Sequence, residues 1–274
     1  MAEADQALTD PTQPQEELGG VMSLREHLDE LRKRLTVAIL AIILASFVVW
    51  PFKDFVFHFV QLPLPRGAIL QQIAVTETLF TFVKISFIVG FGLASPIVVY
   101  QVLAFVAPGL YPQERRWLYM SIPAITLAFF AGVSFAWFVV LRFTVGFLAG
   151  FAPATISTEF TVDGWVSFVL RILLAVGLAF ETPFIIFALA KIGLVTADSL
   201  ASQRRYAIVA IAVISAIITP TPDPFTQASV GIPLYALYEV GVVLARVAAP
   251  ADRPDDDTEP EPDPEDDGSV PTTA

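Results

Sequence analysis

The sequence predicts an all-α integral membrane protein with six transmembrane helices and both termini in the cytoplasm. Three observations carry this prediction. Of 274 residues, 55% are hydrophobic, and the mean hydropathy of +0.67 lies well above that of a soluble domain. Apolar runs near the roughly 20 residues that cross a bilayer recur along the chain. The cationic residues are shared unevenly between the connecting loops.

The first element is a charged amphipathic helix over 23–35, reading SLREHLDELRKRL. Leu24, Leu28, Leu31 and Leu35 fall on one helical face. Ser23 and Glu26 have capping-box spacing, which sets the helix start. Glu30 and Arg34 form an i, i+4 pair. Taken alone, the segment also reads as a solvated helix whose charges offset one another. It runs directly into an uncharged stretch, 36–52, the body of the first span.

The six spans are read at 35–52, 79–106, 117–141, 166–190, 206–219 and 226–245. This count places Arg25, Arg32, Lys33, Arg34, Arg115, Arg116, Lys191, Arg204, Arg205, Arg246 and Arg253 on one side. Only Lys53, Arg66 and Arg142 fall in the opposite loops. Cytoplasmic loops hold the excess of Lys and Arg, so both termini are assigned inside. The outer loops gather Pro51, Pro63, Pro65, Pro153, Pro220, Pro222 and Pro224. The loop over 53–78 is long and apolar, and is expected to fold as an ordered cap with short interfacial helices. The fifth span, at about 1.5 Å per residue, reaches only about 21 Å across a core about 30 Å thick. Either the bilayer thins there or the helix extends beyond these bounds.

The tails explain the net charge of −11. Residues 1–22 hold five acids and no Lys or Arg, and 247–274 hold ten acids and one Arg, which leaves 23–246 at +3. The sequence is thus divided into a disordered acidic tail (1–22), a membrane domain (23–246) and a disordered acidic, Pro-rich tail (247–274). The chain has no cysteine, which excludes disulfides and thiol chemistry. No basic segment precedes an early apolar stretch, so no cleaved signal peptide is expected.

Charged residues inside spans are costly and point to function. Glu181 lies deep in the fourth span, two residues before Pro183, which removes a backbone donor and favours a kink. A functional carboxyl facing protein or water and a protonated acid hydrogen-bonded to a neighbouring helix are both open readings. Glu239, in the sixth span, is placed to reach Arg246 or water. Gln227, at the outer end of the same span, can hydrogen-bond across helices. Lys84 and Arg171 are expected to snorkel to the outer surface. Glu114 stands beside Arg115 and Arg116 in the short loop APGLYPQERR, where it serves orientation in no way and reads either as an ordinary loop acid or as a ligand.

Taken together these segments resemble the TatC family, the multispanning core of the twin-arginine protein translocase. The matching pieces are EHLDELRKRL at 26–35, Thr76-Glu77 through Lys84, SPIVVYQVLAFVAPGLYPQERR at 95–116, GLAFETP at 177–183, TPTPDPFTQ at 219–227 and IPLYALYEVG at 232–241. Arg171 departs from the family pattern, which has an apolar or small residue there.

The resemblance implies a concave, glove-like bundle in a bacterial-type inner membrane, acting as receptor for Arg-Arg signal peptides of folded cargo. It matches the signal-binding positions to Glu30, Glu114 and Phe105, and the lipid-facing groove carboxyl to Glu181. Pro63, Asp223 and Gln227 match positions in the outer cap and at the start of the sixth helix. It implies TatA-like and TatB-like single-span partners and the proton gradient as driving force, and leaves self-association open. Two consecutive guanidinium groups call for two carboxylates at one surface, because Lys cannot copy the planar bidentate pairing of Arg.

No cofactor, metal, nucleic-acid partner or enzymatic activity is assigned. The chain has no GxxxxGK[ST], HExxH or GxSxG pattern, and its only histidines, His27 and His58, lie outside the spans. A proton-coupled secondary transporter, with Glu181 as relay, is the alternative, although no second half mirrors the first three helices.

Overall fold

The computed structural model describes residues 24–65, 67–109, 112–151, 159–191, 193–219 and 223–248. The N-terminal tail, the C-terminal tail beyond Ala248, and Pro153, Pro220 and Pro222 lie outside them. Five helical stretches are long and apolar enough to cross a membrane: Arg25–Gln61, Glu77–Val106, Leu118–Leu148, Val162–Lys191 and Pro224–Ala248. Their surfaces carry large apolar side chains such as Phe47, Phe87, Phe138 and Ile185. Such a surface is suited to lipid tails rather than water.

Helix α1 (Leu24–Val49) is unbroken. The charged amphipathic segment and the first span are one helix, because no Pro or Gly interrupts 24–49. Pro51 then sits in a tight turn, Trp50–Phe52, after which α2 (Lys53–Gln61) begins. A short helix was expected in this loop, and α2 supplies it. The Trp165 indole donates to the Val60 carbonyl at 3.0 Å and pins α2 to the interior.

Helix α3 (Glu77–Val106) accommodates Pro96 without ending. The third span, read as one helix over 117–141, is instead composite. It comprises α4 (Pro112–Met120), α5 (Ile122–Phe135), a wide π turn over Ala136–Val140 and α6 (Leu141–Phe151). Pro123 lacks the amide that would continue the helix across Ser121, and an inserted π turn shifts the helical register.

The fourth span is likewise two helices, α7 (Val162–Ala179) and α8 (Thr182–Lys191), separated at Phe180–Glu181. Then follow α9 (Ala197–Ser202), α10 (Arg204–Ile218) and α11 (Pro224–Ala248). At 15 residues, α10 confirms that the fifth predicted segment is short, about 22 Å by its helical rise.

A parallel two-residue strand pair was not foreseen. β1 (Leu70–Gln71) in the first outer loop aligns with β2 (Phe160–Thr161) just before α7. Period-2 patterning is invisible over two residues.

The main core forms where α3, α7, the π turn and α11 meet, around Ile85, Val140, Leu141, Val166, Leu170, Ile172, Val176 and Val230. Helix α1 lies along α3, and α8 against α11. Gly132 and Gly177 let the α5 and α7 region close up: a Cβ on Gly132 would stand 2.8 Å from the Phe180 ring, and one on Gly177 2.9 Å from Phe129.

Candidate functional site

The first site residues converge where the start of α1 meets the end of α3. His27, Glu30 and Arg34 are spaced three and four apart, so they share one face of α1. Gln101 and Phe105 do the same on α3. The His27 ring stacks on Phe105 with centroids 4.5 Å apart. Arg34 donates Nη1 to Gln101 Oε1 at 3.3 Å.

Glu30 lies between these two contacts. Arg34 brings both Nε and Nη2 to the same carboxylate oxygen, Oε1, at 3.3 and 3.0 Å. The other oxygen, Oε2, is buried and among the described residues has no hydrogen-bond partner. Glu30 is therefore oriented by its neighbours but only half used, and the free half is a costly state unless a donor arrives.

Glu114 lies in α4, and its side chain is outside the described residues. The position of α4 is nevertheless fixed from its own neighbours. The Arg115 guanidinium sits 5.8 Å over the Tyr119 ring, and Tyr119 lies 5.8 Å from Tyr100 of α3.

Glu181 occupies the break between α7 and α8 rather than a continuous helix. Its carbonyl accepts from the amides of Phe184 and Ile185, each at 3.0 Å, which starts α8. Pro183 is buried in the first turn of α8, the position where its missing amide costs least. The Glu181 side chain is half-buried, and among the described residues no donor reaches its carboxyl.

Glu239 pairs differently from the sequence reading. Its hydrogen-bonding partner is Arg204 at the start of α10, not Arg246. Arg204 Nε lies 2.8 Å from Oε1 and Nη2 lies 2.9 Å from Oε2, a two-pronged geometry. The Tyr235 hydroxyl adds a third bond at 2.8 Å. Gln227 does bond across helices, donating Nε2 to the Ala212 carbonyl of α10 at 2.7 Å. Asp223 caps α11 by accepting from the Thr226 amide at 2.7 Å. Pro63 sits in the turn that closes α2, where the Leu64 amide reaches the Gln61 carbonyl at 2.9 Å.

Lys84 does not simply snorkel. Its ammonium lies 2.6 Å from Asp163 Oδ1 and also bonds Ser167. Glu77, about two helical turns before it, accepts from the amides of Ile73, Ala74 and Asp163 at 2.8, 3.3 and 2.8 Å. Together they bind the outer cap to the starts of α3 and α7. Arg171, by contrast, is exposed on α7.

Residues 26–233, well over half of the chain, match the family model described as "TatC: Sec-independent protein translocase protein (TatC)". The chain belongs to the TatC family. The TatC protein of Carboxydothermus hydrogenoformans is 36% identical over 230 residues, covering 84% of this chain and 95% of that protein. The TatC protein of Escherichia coli K12 is 37% identical over 224 residues, covering 80% and 86%. A crystal structure described as the twin-arginine translocase receptor TatC superposes with a TM-score of 0.74 at 39% identity, covering 81% of this chain and 99% of that one. The TatC relatives are named as protein translocase components, which is a transport role and not an enzymatic one.

Sequence reading alone did not select Gln101, Tyr100, Tyr119 or Asp163. Gln101 and Asp163 could have been flagged as polar groups in or beside apolar spans. The tyrosines carry no such mark, since amphipathic rings at span ends are ordinary.

Proposed function

We propose that this chain is the receptor core of a twin-arginine translocase in a bacterial-type inner membrane. It captures Arg-Arg signal peptides of folded cargo on its cytoplasmic side. Family membership supports the transport role, and the half-used carboxylate of Glu30 is the observation that carries the receptor assignment. A guanidinium from the peptide finds at Oε2 an acceptor without a partner among the described residues; because that oxygen is buried, the guanidinium reaches it only as the covering side chains move aside, and the charged hydrogen bond offsets that cost. Glu114, on the helix anchored through Tyr119 to α3, takes the second arginine. The Phe105–His27 pair offers an aromatic floor for the peptide between them.

The hydrophobic part of the signal then lies along the concave face toward Glu181 and Pro183. Single-span TatA-like and TatB-like proteins bind this core near Gln227 and Glu239 and complete the translocation assembly, driven by the proton gradient. Helix α10 is the fifth of six crossings, both termini lie inside, and the acidic tails (1–22 and 247–274) serve as solubilising extensions. Pro63 and Asp223 shape the outer cap that holds these helices in register.

The test is site-specific photocrosslinking with probes beside Glu30, at Phe105 and beside Glu114. A precursor bearing Arg-Arg is compared with one bearing Lys-Lys. Crosslinks that require Arg-Arg support the receptor. Equal crosslinks with both, or crosslinks unchanged in the Glu30→Ala, Glu114→Ala double variant, would overturn it.

A further inference from the structure

Arg34 holds Glu30 in an incomplete way. The Nε and Nη2 edge of a guanidinium matches the two oxygens of a carboxylate, one donor to each. Here both donors converge on Oε1, and Oε2 is left buried with no partner among the described residues. The remaining prong, Nη1, is held by Gln101 Oε1 at 3.3 Å, from the facing helix. Arg34 therefore has two acceptors on two helices, one charged and one neutral.

We propose that Arg34 is an internal stand-in for the peptide arginine, occupying Glu30 in the unloaded protein and retreating onto Gln101 when a peptide guanidinium binds. This inference rests on the reading of Glu30 as a carboxylate for the signal peptide. One carboxylate cannot neutralise two guanidinium groups, so an incoming cation at Oε2 faces repulsion from Arg34 across the same group. Gln101 relieves this by giving Arg34 a second acceptor within the side chain's present reach. The exchange also sharpens selection. A peptide arginine offers a planar pair of donors that can displace Arg34, whereas a lysine offers a single point charge that cannot replace both bonds. The resident arginine thus sets a threshold that Lys-Lys signals fail to pass.

The experiment measures binding of a fluorescent Arg-Arg signal peptide and its Lys-Lys counterpart to the full chain in lipid nanodiscs. Arg34→Gln removes the competitor and is expected to tighten Arg-Arg binding by at most about twofold, the scale of a helix-surface ion pair. It should tighten Lys-Lys binding more, so that discrimination narrows. Gln101→Ala removes the second acceptor and is expected to weaken Arg-Arg binding by a similar factor. Opposite signs at the two ends of one contact are something a purely structural strut cannot give. If Arg34→Gln weakens binding, or leaves both peptides unchanged while Glu30→Gln abolishes Arg-Arg binding, Arg34 only positions Glu30 and the inference falls while the receptor reading stands. If Glu30→Gln itself changes nothing, the receptor reading falls with it. Arg34→Lys, which keeps a cation on the helix, guards against misfolding: it should restore the Lys-Lys penalty at least in part, and failure to do so would also count against the exchange.

Discussion

Gly90 of α3 packs directly on the backbone of Ser46 in α1. A Cβ added to Gly90 would stand 2.6 Å from Ser46 N and 2.7 Å from its Cα, well inside contact distance. Lipid tails are as apolar as leucine, so helices in a bilayer are held together by close packing rather than by expulsion of water. This contact lets α1 lie along α3, where His27 meets Phe105 and Arg34 meets Gln101.

Gly90→Ala is therefore expected to push α1 off α3 and to destabilise the protein by about 1–3 kcal/mol, the usual range for overpacking. Thermal unfolding in detergent measures it. Because the clash is with backbone, adding Ser46→Gly should not rescue the variant. Full rescue would show that only the serine hydroxyl was in the way.

Glu77→Ala should loosen the outer cap. Its carboxylate holds three backbone amides, two of them before α3 and one at Asp163. Because the site is open to water, the released amides find solvent partners and the loss falls on the local order of the cap. Limited proteolysis of the loop over 62–76 reads the effect directly, and the cleavage rate is expected to rise. An unchanged rate would mean that β1 and β2 hold the cap without Glu77.

Arg204 and Glu239 should couple in a double-mutant cycle. Their two-pronged pair joins α10 to α11, but both side chains are partly exposed, so the coupling is expected at about 0.2–1 kcal/mol. Arg204→Lys should lose most of it, since an ammonium cannot bond both oxygens along one edge. Retention of the full coupling by lysine would reduce the contact to simple charge attraction.

Glu181→Gln should leave unfolding nearly unchanged, because among the described residues no donor depends on the carboxyl. It is expected to weaken crosslinking of the signal segment or of a single-span partner to α8. A loss of stability above about 1 kcal/mol, the worth of one internal hydrogen bond, would instead mark Glu181 as a structural acid.

The sequence by itself determined what depends on neighbours along the chain. Uncharged apolar runs marked the membrane helices, because a bilayer demands internal backbone pairing over a fixed length. The first span was read through Pro51 to Phe52, whereas α1 ends at Val49; the Glu30–Arg34 spacing marked an ion pair, which the structure makes at 3.0 Å. The break at Phe180–Glu181 was half legible, through Pro183. What remained open joins residues far apart in sequence. Lys84 meets Asp163 from another helix, and β1 finds β2 across two intervening spans. Arg204, assigned only to orientation, is the partner of Glu239. The free oxygen of Glu30 depends on Arg34 leaning toward Gln101. Local periodicity reports which face a residue occupies. Only tertiary packing decides which distant side chain meets that face, and thus whether a charge is consumed within the fold or left for a ligand.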